Sequence, residues 1–258
     1  MKTLQVIKIG GNVVDDPAAL KSFLYDFSKI KGAKLLIHGG GVMATQMAER
    51  LGIETRMHKG RRITDWETLK TVTMVYAGWI NKSIVAALQS LGCNAIGLSG
   101  ADCNIIPATK RSPEPIDFGY VGDVDPSKIG SEELSALLER SICPVFCAIT
   151  HDGNGSLLNT NADTMASTLA IAMTGRYDVR LIFCLEKDGV LLDRNDESSV
   201  IPRITEDYFA KLLEEGIIEG GMIPKLENAF AAIGNGVSEV VIKHARNLNN
   251  ERGTTLVK

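Results

Sequence analysis

The chain has 258 residues, 45% of them hydrophobic, and 28 Lys and Arg against 31 Asp and Glu give a formal net charge of -3. That length buries a large core, as one domain or as two lobes, and the slight acidic excess gives no electrostatic reason to expect a nucleic-acid partner. No stretch approaches the roughly 20 apolar residues that cross a bilayer, which points to a soluble, cytoplasmic protein without a membrane partner.

In chain order, short apolar runs at Leu4–Ile9, Lys34–Ile37, Ala95–Leu98, Pro144–Ile149, Arg180–Leu185 and Glu239–Ile242 alternate with amphipathic stretches. That alternation predicts an α/β fold with a mostly parallel sheet whose two faces are covered by helices. Asp16-Pro17 opens one helix, with Asp as N-cap and Pro as first helical residue. Thr64-Asp65-Trp66-Glu67 is a capping-box pattern opening a long helix closed at Leu91-Gly92. Its apolar positions Leu69, Val72, Tyr76, Trp79, Ile80, Ala87, Leu88 and Leu91 recur at helical spacing and read as core or subunit packing. From Asn104 to Lys128 the rhythm breaks into a segment rich in Pro and Gly. Extended pieces at Asn104–Thr109 and Phe118–Val124 read there as a β-hairpin excursion, in the manner of a lid over a small-molecule site. No internal repeat or linker is visible. Five cysteines (Cys93, Cys103, Cys143, Cys147, Cys184) read as free, mostly buried thiols. Cys143 and Cys147 lack a second Cys/His pair at zinc spacing, so no metal site is expected there.

Lysines and glycine turns carry the chemistry. Val6-Ile7-Lys8-Ile9-Gly10-Gly11-Asn12 is a strand ending in a double-glycine turn, and Gly220-Gly221-Met222-Ile223-Pro224-Lys225 is a turn entering a helix. Each places an ammonium beside backbone N–H groups, a combination suited to a phosphoryl group. Alone, Lys8 reads equally well as an edge-strand lysine with its head in water. The third turn, His38-Gly39-Gly40-Gly41, tips the balance toward phosphate. Neither Gly-x-x-x-x-Gly-Lys-Ser/Thr nor a strand followed by Gly-x-Gly-x-x-Gly occurs, which argues against P-loop and dinucleotide-binding readings. Asp163, in Leu158-Asn159-Thr160-Asn161-Ala162-Asp163, opens an apolar helix through Met165, Leu169 and Met173. By itself it is equally a helix N-terminal acid facing the macrodipole.

Taken in order, Lys8-Ile9-Gly10-Gly11, His38-Gly39-Gly40-Gly41, Gly60-Arg61-Arg62-Ile63-Thr64, Asn159-Thr160-Asn161-Ala162-Asp163 and Gly220-Gly221-Met222-Ile223-Pro224-Lys225 resemble the amino-acid kinase superfamily. Within it they resemble the N-acetylglutamate kinases of arginine biosynthesis, from the first strand to the closing Gly253-Thr254-Thr255. The resemblance implies a three-layer αβα sandwich, one amino-acid kinase domain over 1–258. Its N-terminal lobe (about 1–175) would hold the acyl-amino acid and its C-terminal lobe (about 176–258) ATP. It implies phosphoryl transfer from ATP to the side-chain carboxylate of N-acetylglutamate, with Mg²⁺ on the phosphates. Lys8 and Lys225 would flank the transferring group and Asp163 would hold both ammonium groups. Gly10 and Gly11 would contact phosphate, Gly40 and Gly41 substrate oxygens, Arg62 the α-carboxylate and Asn159 the acylated amino-acid part.

Two positions depart from the family pattern. Leu185-Glu186-Lys187-Asp188-Gly189-Val190-Leu191 stands where the family has Thr/Ser-Asp-Val-Asp-Gly-Val-Leu, so Glu186, Asp188 and Gly189 carry the ATP contacts only by analogy. Arg61 replaces an apolar neighbour of Arg62; it either faces solvent or places a second cation near the acyl group, where related enzymes accept N-succinylglutamate. The resemblance further implies a homodimer built on the helix from Asp65 to Leu91, with Tyr76 and Trp79 in the interface. It also implies insensitivity to arginine, because only Met1-Lys2-Thr3 precedes the strand of Lys8. Kinases of aspartate, carbamate or UMP, a dinucleotide-binding oxidoreductase and a non-catalytic ligand sensor stay open as alternatives.

Overall fold

The computed structural model describes residues 1–193, 195–220 and 222–258, apart from the side chain of Pro224. Gly221 of the Gly220-Gly221 turn lies outside the described residues. The chain begins β1 (Thr3–Ile9), α1 (Gly11–Asp15), α2 (Pro17–Lys29), β2 (Ala33–His38), α3 (Gly41–Arg50) and a hairpin of β3 (Arg56–His58) and β4 (Arg61–Ile63). It continues with α4 (Trp66–Thr73), a π-helical segment (Met74–Ile80), α5 (Asn81–Ser90), β5 (Ala95–Leu98), β6 (Ala108–Lys110), β7 (Gly122–Val124) and α6 (Ser131–Glu139). Then follow β8 (Cys143–Cys147), β9 (Ile149–His151), β10 (Leu157–Asn159), α7 (Ala162–Met173), β11 (Asp178–Leu185), β12 (Arg203–Ile204), α8 (Glu206–Glu214), α9 (Met222–Gly234), β13 (Glu239–His244) and β14 (Thr254–Leu256).

Eight of these strands form one sheet in the order β12-β14-β13-β11-β1-β2-β8-β5. It is parallel from β13 to β5, and the short edge strands β14 and β12 run the other way. All six apolar runs read from the sequence enter this sheet, although Ile149 belongs to the separate β9–β10 hairpin. Alternation along each strand sends neighbouring side chains to opposite faces. Leu4, Val6, Leu35, Ile37, Leu181 and Phe183 join one core with α6, α7, α8 and α9, and Ile7, Ile9, Leu36, Ile182 and Cys184 join another with α1 to α5. This is the expected three-layer sandwich.

The same alternation decides where Lys8 points. It shares the face of Leu4 and Val6, the face covered by α7 and α9, and it is buried in a central strand rather than exposed on an edge. From β1 the chain crosses to β2 on one side, and from β11 it crosses to β13 on the other. The carboxyl ends of β1 and β11 therefore flank a topological switch point, the usual crevice for ligands in open α/β sheets.

Several local expectations need correction. Asp65 caps α4, its carboxylate accepting from the Thr68 N–H at 2.9 Å. Thr64 is instead wholly buried, its hydroxyl accepting from the Asn159 amide at 3.0 Å. The helix spans Trp66–Ser90 with a π-helical middle, and this geometry divides the aromatic pair: Tyr76 is buried within the chain while Trp79 is 68% exposed. Asp16 caps α2 as read, accepting from the N–H groups of Ala18 (2.8 Å) and Ala19 (3.1 Å). The hairpin excursion narrows to β6 and β7, and it is stitched down rather than detached. Thr64 N–H donates to Phe118 C=O (2.9 Å), Tyr120 N–H to Thr64 C=O (2.7 Å) and Asn159 N–H to Tyr120 C=O (2.9 Å). All five cysteines are free, and Cys103 alone is exposed.

Candidate active site

At the switch point three charged side chains meet from three elements. Lys8, near the carboxyl end of β1, puts Nζ 2.6 Å from Asp163 Oδ1. Lys225, in the first turn of α9, donates to Asp163 Oδ2. Asp163 sits in the first turn of α7, whose N-cap Asn161 accepts from the Thr164 N–H at 2.9 Å. The apolar residues Met165, Leu169 and Met173 are fully buried and fix that helix against the sheet. Burial alone pushes the Asp163 carboxyl up, but the ammonium groups of Lys8 and Lys225 outweigh it and hold it at about 2. The acid is therefore ionised, and both lysines are oriented at rest.

Two glycine turns lie beside this triad because β1 and β2 are neighbours in parallel register. Gly10 and Gly11 begin α1, and the Gly10 N–H donates to Cys184 C=O at 3.2 Å, which joins the turn to the end of β11. Gly40 is the N-cap of α3 with φ of 151°, and a Cβ there would lie 2.2 Å from Ile80 Cδ1. Only glycine meets both demands without strain.

One cavity of about 210 Å³ lies over the second turn. Gly40, Gly41, Arg61, Arg62, Arg111 and Asn159 are among its walls. Arg62 reaches in from β4, donating through Nη2 to Gly41 C=O (2.9 Å) and Thr45 Oγ1 (2.8 Å), so its guanidinium lies against the turn. Arg61 is exposed yet lines the same cavity. Arg111 comes from the excursion, where Nε donates to Asp123 Oδ1 at 3.0 Å across the hairpin and the guanidinium lies over the Phe118 ring. Sequence reading missed Arg111; its available signal was the acid placed across the same hairpin.

A second cavity holds Lys8, Gly10, Gly11, Asn12, Glu186, Lys187 and Lys225. It continues, through Lys187 and Met222, into a pocket lined by Gly189, Val190, Leu191, Ile217 and Ile218. The two lysines of the triad thus line a cradle that mixes charged groups and a glycine turn with Val13, Leu185 and Met222, and that has an apolar extension. Asp188 is directed elsewhere: its buried carboxylate accepts from Asn247 Nδ2 (2.9 Å) and Arg246 (3.2 Å), and it lines neither cavity. A Cβ on Gly189 would meet Thr254 Oγ1 at 2.6 Å, so that glycine serves a close backbone approach.

A central parallel sheet with glycine turns and paired lysines at its switch point suits the transfer of a phosphoryl group, and the family model agrees. Residues 3–244 match the Amino acid kinase family, and the chain belongs to that family. Relatives similar over nearly their whole length include acetylglutamate kinases. That of Phocaeicola vulgatus is 54% identical, covering 99% of this chain and 98% of its own, and that of Cytophaga hutchinsonii is 53% identical, covering 100% and 99%. Among solved structures, smu.665 from Streptococcus mutans superposes with a TM-score of 0.78 at 25% identity, covering 99% of this chain and 98% of its own.

Proposed function

We propose that this chain transfers the γ-phosphoryl group of ATP to the side-chain carboxylate of N-acetyl-L-glutamate, in the biosynthesis of arginine. A carboxylate oxygen attacks phosphorus, the bond to the ADP oxygen breaks, and an acyl phosphate results. The observation that carries this reading is the Lys8–Asp163–Lys225 triad: its two lysines line a cavity with the Gly10-Gly11 turn, and Asn161 and Ala162, next to Asp163, line the cavity that holds Arg61, Arg62 and Arg111. It is supported by the full-length likeness to acetylglutamate kinases.

The reaction demands alignment and charge neutralisation more than covalent help. Lys8 and Lys225 would stabilise charge spreading over the phosphoryl oxygens, and Asp163 would keep them oriented. Arg62 would pair the substrate α-carboxylate and Asn159 the acylated amine, with N–H groups of the Gly40-Gly41 turn nearby. The nucleotide phosphates would lie against Gly10, Gly11 and Lys225, and the base in the pocket of Val190, Leu191 and Ile218. This assigns the acyl-amino acid to the part before about residue 175 and the nucleoside of ATP to the part after it, with the phosphates at the junction between Gly10-Gly11 and Lys225. Asp163 is already taken by two lysines, and Glu186 is the one acid lining the phosphate cradle among the described residues. Such a donor set fits Mg²⁺ arriving on the nucleotide with most of its waters, where it neutralises phosphate charge.

A second reading concerns the acyl group. Arg61 and Arg111 line the cavity of Arg62; Arg111 is already paired with Asp123, so it is chiefly the Arg61 guanidinium that favours an extra carboxylate, as in N-succinyl-L-glutamate. The chain is proposed to work in the cytoplasm as a homodimer joined along the helix bearing the exposed Met74 and Trp79. Purified protein with ATP, Mg²⁺ and either acylated glutamate should release ADP and form a hydroxylamine-trapped acyl product. Absence of turnover with every acylated glutamate overturns the assignment, and the ratio of kcat/KM values decides between acyl groups.

A further inference from the structure

Behind the Gly39-Gly40-Gly41 turn lies a buried imidazole that none of the roles above uses. His38 ends β2 and is wholly inaccessible. Its Nδ1 is 2.8 Å from Gly39 C=O and its Nε2 is 3.1 Å from Asn81 Nδ2. A carbonyl only accepts, so Nδ1 carries the proton and Nε2 takes a hydrogen from the amide. The Asn81 Nδ2 group gives its other hydrogen to Val145 C=O at 2.9 Å, and Asn81 Oδ1 accepts from Lys82 Nζ at 3.2 Å. Every strong donor and acceptor of the pair is matched, which fixes both the tautomer and the amide orientation. Burial pushes the imidazole down to about 4, so it is neutral at working pH.

The partner arrives by a particular route. Asn81 follows directly on the π-helical segment Met74–Ile80. A π turn inserts one residue into the helix, which rotates everything beyond it by about 100° relative to an uninterrupted α-helix. Tyr76 and Ile80 of that segment pack against the α-carbon of Gly40, and Asn81 faces His38. The turn is thus held by apolar contacts at Gly40 and by a hydrogen-bond relay at Gly39.

We propose that His38 is a positioning residue for phosphoryl transfer: its neutral imidazole, pinned by Asn81, fixes the Gly39 carbonyl and with it the direction in which the Gly40-Gly41 turn meets the acylated glutamate. The substrate part of this inference rests on the function proposed above. It is distinct from a packing role because the two ring nitrogens have separable tasks. An asparagine at this position places an amide N–H where Nδ1 was, and a glutamine places an amide oxygen near where Nε2 was.

His38→Asn and His38→Gln test it together. His38→Asn keeps the Gly39 bond, and KM for the acylated glutamate should stay within about 3-fold of the parent. His38→Gln loses that bond, and the same KM should rise about 10-fold or more, with KM for ATP unchanged in both. Melting temperatures measured alongside separate this from loss of fold; equal kinetic losses in the two variants, or losses that track stability alone, overturn the proposal. Nitrogen-15 correlation spectra of the full-length parent protein give an arm independent of substrate. They should show His38 as the neutral Nδ1–H tautomer at pH 7, and an Nε2–H tautomer or an imidazolium overturns the relay. Parent protein that turns over no acylated glutamate removes the proposed function and the substrate role together, while the tautomer still decides the relay.

Discussion

Lys8 and Lys225 grip the same carboxylate from opposite elements, one from the central strand β1 and one from the first turn of α9, each on its own oxygen of Asp163. Neither ammonium needs to be recruited when substrates bind. Groups organised in advance act on the transition state without a reorganisation cost. Lys8→Ala and Lys225→Ala should each lower kcat by roughly 10²-fold or more, and Asp163→Ala should be slow as well. Steady-state kinetics with near-parental kcat in either lysine variant would remove that residue from the mechanism.

Arg62 lies against the Gly41 carbonyl and Thr45, on the cavity assigned to the acylated glutamate. Arg62→Lys keeps the charge and loses the planar fork, so KM for that substrate should rise while KM for ATP stays nearly constant. The opposite pattern would place Arg62 in the wrong half of the site.

His38 also predicts a pH dependence of stability. Its folded pKa is depressed, by burial first, to about 4 from an ordinary 6.5. Between those values the unfolded chain binds the proton and the folded chain does not, so stability rises with pH across that window. The contribution is complete above 6.5 and is lost as pH falls toward 4. Urea unfolding of the parent and of His38→Gln from pH 7 to 4 should show a shallower decline in the variant; parallel curves would mean the imidazole titrates normally.

Gly189→Ala tests the packing behind the proposed nucleotide pocket. The added methyl would meet Thr254 Oγ1 at 2.6 Å and Val200 Cγ1 at 2.8 Å. That hydroxyl is itself committed, accepting from Val190 N–H (2.8 Å) and donating to Ile201 C=O (2.7 Å). Overpacking of this kind costs about 1–3 kcal/mol, readable as a lower urea midpoint at constant slope. An unchanged midpoint would show that the start of β14 and the Val200 segment yield freely.

The proposed dimer places Trp79 in contact with a second copy. Light scattering should give about twice the 27.9 kDa chain mass, and Trp79→Glu should shift it toward the single-chain value with little change in far-UV dichroism. Tyr76 variants should leave the mass alone, since that ring is buried within one chain. A parent protein running at the single-chain mass contradicts the assembly.

Much of this was legible in the sequence for particular reasons. Lys8 stood out because a charge interrupts an apolar strand, yet Lys34 does the same in β2 and bonds carbonyls at and just past the end of α2, Phe27 at 2.7 Å and Ile30 at 2.9 Å. What separated them was the glycine turn after Lys8, a feature of pattern rather than of charge. β12 and β14 were missed because two or three residues carry no period. The π-helical segment was invisible because apolar spacing alone does not distinguish one extra residue per turn, and that hid both the burial of Tyr76 and the meeting of Asn81 with His38. Arg111 and Asp123 approach only because the excursion folds back on itself.

The shared carboxylate sets a limit on grip as well as on aim. Two positive charges and one negative leave the triad with a single net positive charge, so a phosphate bound there would meet less attraction than two bare lysines would exert. Attraction spent equally on substrate, transition state and product slows departure without hastening chemistry. A chain lacking Asp163 should therefore become sluggish and adhesive at once, holding ADP and the acyl phosphate longer than the parent does. On the proposed mechanism the acid would act as a ballast that lets the site let go.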